Sequence, residues 1–108
     1  MMLLADVRIF VCTAPIDMRR SFDGLALATT QILGEDPRSG GLFVFVSKRA
    51  TRAKVLWWDR NGYCLLYKRL HRALFVVPKG DDTSTSVRID GRGLALLLAG
   101  IEKTARKH

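Results

Sequence analysis

Ala53-Lys54-Val55-Leu56-Trp57-Trp58-Asp59-Arg60-Asn61-Gly62-Tyr63-Cys64-Leu65-Leu66-Tyr67-Lys68-Arg69 reads as two β-strands joined by a tight turn. β-branched and aromatic residues fill both halves, and Asn-Gly supplies the positive φ angles that tight hairpin turns demand. A two-residue loop and a glycine bulge both fit the turn, so the register stays open. Outward from this hairpin, Leu42–Val46 precedes it and Ala73–Val77 follows, each short and apolar. The gaps between these segments are too brief for crossover connections. The spacing therefore predicts an antiparallel meander of Leu42–Val46, Ala53–Asp59, Tyr63–Arg69 and Ala73–Val77, bounded by the turn residues Asp36–Gly41 and by Pro78.

Further out, Val7–Cys12 reads as a strand stopped by Thr13-Ala14-Pro15. Met18, Phe22, Leu25, Thr29, Ile32 and Leu33 recur at three- and four-residue steps. That spacing is a helix beginning between Pro15 and Ser21 and capped by Gly34. Lys79–Ser86 is a polar loop, and Val87–Ile89 is a candidate short strand. Asp90 can cap a second helix whose apolar stripe is Leu94, Leu97, Leu98 and Ile101. The polar tail 103–108 is expected to fray. The fold class is α+β: an antiparallel β-meander of four to six strands with two helices packed mainly on one face, in a single domain spanning 1–108. Two features press on that picture. Leu42–Val46 is apolar at every position, and Trp57 and Trp58 are adjacent, so only one tryptophan can enter a helix-covered core. The other must lie on the second face, under a loop or against a partner.

The chain of 108 residues is long enough for one ordinary core without disulfides or metals. Its unusual property is charge: a formal +8 with a pI near 10.2. Lys48 to Arg72 holds eight basic residues against the lone acid Asp59, a net +7, while the remainder is nearly neutral. A regional excess of this kind favours a polyanionic partner. Cys12 and Cys64 both sit in apolar runs, which points to buried free thiols in a reducing compartment. His71 and His108 are too few for a structural zinc site. The N-terminus meets Asp6 before any apolar region lengthens, so no signal peptide is expected, and no apolar run is long enough to span a bilayer. A cytoplasmic location, nucleoid-associated when DNA is bound, is the expectation.

The candidate DNA-binding residues are Lys48, Arg49, Arg52, Lys54, Arg60, Lys68, Arg69 and Arg72, which could hold phosphates without reading sequence. The competing reading of these charges is a solvated rim that protects an edge strand. Trp57, Trp58, Tyr63 and Tyr67 interleave with them, and fit base stacking or ordinary cross-strand packing. Asp17, Arg19, Arg20, Trp57 and Trp58 are the candidate partner-binding residues. The carboxylates are scattered, without the convergence that metal-dependent phosphoryl transfer needs. No nucleophile triad, P-loop or GxGxxG occurs. No catalytic residue, metal, cofactor or small-molecule substrate is therefore expected.

Several stretches carry a family resemblance. Thr13–Leu25 (TAPIDMRRSFDGL) is similar to the TGPTDMRKSFDGL segment of the TnpB accessory proteins of IS66-family insertion sequences. Asp36–Gly40 with Leu42–Phe45 resembles that family's DPFSGHLFVF, and the Trp57-Trp58-Asp59 and Lys68-Arg69-Leu70 motifs resemble its WWD and KRL. Leu94–Ile101 is similar to its LALLLEGI ending. Ala14 and Ile16 stand where the family usually has Gly and Thr, and Ile16 removes a candidate capping hydroxyl. The resemblance implies a non-catalytic accessory role in DNA transposition beside a separate DDE transposase. DNA and that transposase are the expected partners, and homo-oligomerisation stays open. An adaptor that binds the transposase without touching DNA is the alternative.

Overall fold

Strand β2 (Leu42–Val46) is buried at all five positions, and the rest of the architecture follows from covering it. The computed structural model describes residues 6–103. Phe43 and Phe45 point to one face of the sheet, and Leu42, Val44 and Val46 to the other. Such a strand needs a neighbour on each edge and a layer on each face. β1 (Ile9–Cys12) supplies one edge, running parallel with Ile9 opposite Leu42. β3 (Arg52–Asp59) supplies the other, antiparallel with Val44 opposite Val55. β4 (Gly62–Arg69) pairs with β3 along its full length, from Asp59 opposite Gly62 to Arg52 opposite Arg69. β6 (Ser86–Ile89) runs antiparallel to β1, giving the five-stranded order β4-β3-β2-β1-β6.

The α+β class and the mainly antiparallel sheet are as the sequence leads one to expect. The helices are placed differently. α1 (Phe22–Ala28), extended by a π-helical turn over Thr29–Leu33, sets Leu25, Ala28 and Leu33 against Phe10, Phe43, Phe45 and Leu56. α2 (Gly91–Ala99) sets Leu94 and Leu97 against Ile9, Val11, Val44 and Val55 on the opposite face. The expected one-sided packing gives way because a strand apolar at every position leaves no face that can be wetted. The β1-to-β2 connection, which carries α1, is correspondingly a parallel crossover.

The expected four-stranded meander is also cut to three strands, β2 to β4. The last candidate shrinks to β5 (Ala73–Leu74), which pairs with β7 (Ile101–Glu102) in a separate two-stranded sheet. Phe75 explains the change. It is buried in the α2-side core and donates its N–H to the Ala50 carbonyl at 2.7 Å. The chain thus crosses the end of the sheet and leaves β4 as an open edge.

Local signals behave as their chemistry dictates. Asp90 Oδ1 accepts the Gly93 N–H at 2.7 Å and caps α2, and Gly34 ends the first helical segment in the left-handed region at φ 67°. The β3–β4 loop has two residues, Arg60 and Asn61, and the positive φ of 60° falls on Arg60 rather than on Asn61-Gly62. Met18 precedes α1 instead of joining its stripe, and Ile101 leaves the α2 stripe because Gly100 breaks the helix at φ 77° and ψ 173°. In the expected tail, Lys103 is exposed and residues 104–108 lie outside the described ones.

Gly100 occupies a backbone region open essentially to glycine alone, and a Cβ there would stand 2.5 Å from Leu70 Cδ1. Gly100→Ala should therefore lower unfolding free energy by about 2 kcal/mol or more in urea denaturation. Gly62→Ala, whose Cβ would meet open space, should shift it by less than about 0.5 kcal/mol.

Candidate nucleic-acid interface

The site begins at a buried lysine. Lys54 lies on β3 among residues facing α1 and is only 6% exposed. Its Nζ donates to the carbonyls of Met18 at 2.8 Å and Arg20 at 2.7 Å, and lies 4.6 Å from the centroid of the Tyr67 ring. A buried ammonium persists where its donors are satisfied. Here they bind the turn Asp17–Arg20, closed by the Arg20 N–H on the Asp17 carbonyl, to the sheet. On the outside of that turn Asp17 and Arg19 form an ion pair at 2.6 Å, and Asp17 Oδ1 also accepts the Arg19 backbone N–H at 2.9 Å. The Arg19 side chain hydrogen bonds hold the Asp17 carboxyl down to about 2, from its usual 3.8.

Facing the pinned turn is the β2–β3 loop. The Ser47 N–H bonds the Arg52 carbonyl at 2.9 Å, and the Ala50 N–H bonds the Ser47 carbonyl at 2.9 Å. Ala50 takes a positive φ of 61° to close the loop, which carries Lys48 and Arg49 exposed at its tip. Between turn and loop runs an open groove of about 570 Å³, lined by Ile16, Asp17, Met18, Lys48, Arg49 and Arg52 among others. Arg52 also lines a second hollow of about 280 Å³ with Tyr67 and Arg69. Lys48, Arg49, Arg52 and Arg69 thus form one cationic end of the sheet. Among the described residues, the ion pair is Arg19–Asp17, and none of these four side chains has a carboxylate partner.

The other candidates from the charged stretch are dispersed. Lys54 is consumed by the turn. Arg60 sits at the opposite tip of the hairpin, beyond the roughly 23 Å that β3 spans from Arg52 to Asp59 at ~3.3 Å per residue. Lys68 points to the α2 side and donates to the Leu98 carbonyl at 2.8 Å, where a cation complements the end of α2. Arg72 lies exposed in the link between β4 and β5, its carbonyl accepting the Lys103 N–H. A strand's alternation separates Lys68 from Arg69 and Lys54 from Ala53, and contiguity in sequence conceals that.

The partner-binding candidates divide as well. Asp17 and Arg19 neutralise each other at the groove's edge, and Arg20 Nη1 reaches the Gly24 carbonyl at 3.4 Å. Trp57 and Trp58 do face opposite sides, and both are half-buried. Trp57 packs against the α2-side core with its Nε1 buried and unpaired. Trp58 lies beneath the Arg38 guanidinium, 4.4 Å from the ring centroid, with Tyr63 edge-on at 5.0 Å. It is covered by a loop, one of the two outcomes the adjacent tryptophans leave open. Tyr67, one of the aromatics that interleave with the charge in the sequence, is placed directly opposite Lys54 by the strand register, which the sequence left open.

Among the described residues no group of three or more His, Cys, Asp or Glu is placed to hold a metal ion. Cys12 and Cys64 are free; Cys12 is buried, which pushes its thiol up, and Cys64 is half-buried. No helix among the described residues is long and apolar enough to cross a membrane.

Comparison with known proteins adds a family to this geometry. The family model described as IS66 Orf2 like protein matches residues 7–108. The chain is similar to "Uncharacterized protein y4hO" of Sinorhizobium fredii (strain NBRC 101917 / NGR234), 38% identical over 97 residues covering 90% of this chain and 83% of that protein. It is also similar to "Uncharacterized protein y4jC" of the same organism, 35% identical over 102 residues covering 94% of this chain and 86% of that protein. No solved structure matches.

Denaturation and an NMR titration test the site's construction. Lys54→Met leaves the Met18 and Arg20 carbonyls without their donor and should lower unfolding free energy by about 1–3 kcal/mol. Arg49→Ala should change it by less than about 0.5 kcal/mol in the same denaturation assay. In an NMR titration, the Asp17 carboxyl should titrate near 2 and return toward 3.8 in Arg19→Gln. Because the folded value is the depressed one, any stability from this contact is present above pH ~4 and lost as pH falls toward 2.

Proposed function

Because the chain belongs to the IS66 Orf2-like family, whose members are accessory proteins of insertion sequences, we propose that it serves transposition as a non-catalytic DNA-binding protein. The observation that carries this reading is the convergence of Lys48, Arg49, Arg52 and Arg69 on one end of the sheet, with no carboxylate partner among the described residues. Cations held in this way lower the free energy of a nearby phosphate backbone and release its condensed counterions. The rigidity of the groove's walls supports the reading. One wall is locked by Lys54 and the other by the hydrogen bonds of the Ser47–Arg52 loop, so little ordering is left to the moment of binding. On this account the protein works in the cytoplasm, at the nucleoid when bound, and holds DNA for a separate transposase that does the cutting and joining.

A second reading, a protein adaptor for the transposase, is favoured by one observation on the opposite face. Val76, Leu96 and Ile101 are exposed around a shallow apolar hollow of about 230 Å³ beside α2. Apolar side chains grouped at a surface are the ordinary mark of a protein contact.

Fluorescence anisotropy with a labelled terminal-repeat duplex and a scrambled duplex separates the two. DNA binding through the cationic end predicts that log K falls with log salt at a slope of about −0.9 per phosphate neutralised. Arg49→Glu with Arg52→Glu should weaken both duplexes at least about tenfold, while Arg60→Glu, at the far tip, should have a smaller effect. Absence of binding at low salt would sink the DNA reading. Co-purification with the transposase that survives nuclease treatment and is lost in Leu96→Asp would then establish the adaptor.

A further inference from the structure

β4 is an open edge, and its last three residues are placed by the hairpin register. Arg69 stands directly opposite Arg52, and Tyr67 directly opposite Lys54. Like charges directly opposed across two strands repel, and sheets ordinarily place an acid or a neutral residue there. Neither guanidinium has a carboxylate partner among the described residues. The pair instead borders the hollow of about 280 Å³ that Tyr67 completes. Arg52 Nη1 lies 3.5 Å from the Tyr67 hydroxyl.

Tyr67 is unusual in the same way. An aromatic side chain at a sheet edge gains by burial, yet this one is 51% exposed. One side of its ring rests on the Lys54 ammonium, 4.6 Å from the centroid, and that lysine is fastened by two carbonyls. The ring is therefore held in place from beneath while half its surface stays open between two guanidinium groups. A fixed aromatic plane flanked by cations is the combination that takes a planar base together with its phosphate.

We infer that Arg52, Tyr67 and Arg69 form a subsite for one unpaired nucleotide, its base stacked on Tyr67 and its phosphate between the two arginines. This rests on the reading of the cationic end as a DNA surface and adds the kind of DNA it selects. In a duplex both faces of each base are already stacked, so only an unpaired base can use the tyrosine. A phosphate between Arg52 and Arg69 relieves their mutual repulsion, whichever strand form supplies it. The subsite adjoins the larger groove through Arg52, so a strand leaving a duplex held by Lys48 and Arg49 would reach it next.

The test titrates the full chain against an oligothymidylate and a duplex of equal length at fixed salt, comparing wild type, Tyr67→Ala, Tyr67→Phe and the Arg52→Gln/Arg69→Gln pair. Tyr67→Ala should weaken single-strand binding about tenfold or more and leave duplex binding unchanged. Tyr67→Phe, which keeps the ring, should retain single-strand affinity, and the arginine pair should weaken both forms. Should Tyr67→Ala lose its fold, the wild-type Tyr67 ring protons decide, because stacking must move them upfield on oligothymidylate addition. Unmoved ring protons, or an equal effect of Tyr67→Ala on both DNA forms, overturns the subsite while the duplex surface stands. Failure of the wild type to bind either form at low salt overturns both.

Discussion

A strand that is apolar at every position cannot leave either face to water, and Leu42–Val46 imposes that condition on the whole domain. It has to be internal, so β1 and β3 flank it; it has to be covered twice, so α1 and α2 go to opposite sides. The parallel β1–β2 pairing follows, because the chain needs a crossover to set α1 over Phe43 and Phe45 before β2 begins. Phe75 completes the α2-side core by leaving the sheet, and that departure exposes the edge of β4.

The candidate site is a by-product of the same packing. On the α1 side of β3, Lys54 is the polar residue among buried apolar ones, lying between exposed Arg52 and buried Leu56. Burial obliges its ammonium to find acceptors, and the carbonyls of the Met18–Arg20 turn supply them. The turn that answers this demand becomes the wall of the groove opposite Lys48 and Arg49. The stable interior and the candidate surface are coupled through one side chain.

Much of this architecture was legible along the chain. The hairpin, the strand Val7–Cys12, the caps at Asp90 and Gly34 and the division of Trp57 from Trp58 all follow from local chemistry or from two-residue alternation. The concentration of charge between Lys48 and Arg72 was equally plain. What local reasoning missed is non-local. Ala73–Val77 looks like a fourth meander strand because its residues suit a strand, yet Ala73 and Phe75 are needed in the core elsewhere. Lys54 and Lys68 look like members of a basic surface, yet one is buried and the other closes α2.

By itself, then, the sequence determined most of the segments that become strands and helices, the caps at Gly34 and Asp90, and that a large positive charge gathers in the β3–β4 hairpin and its flanking loops. These are properties of residues a few positions apart, set by backbone preference and alternation. Only the tertiary structure decided which cations share a surface, which helix covers which face, and that the Asp17 turn meets the Ser47–Arg52 loop. Those outcomes depend on the demand of one doubly buried strand and one buried ammonium for partners distant along the chain, and no local pattern encodes where such partners are found.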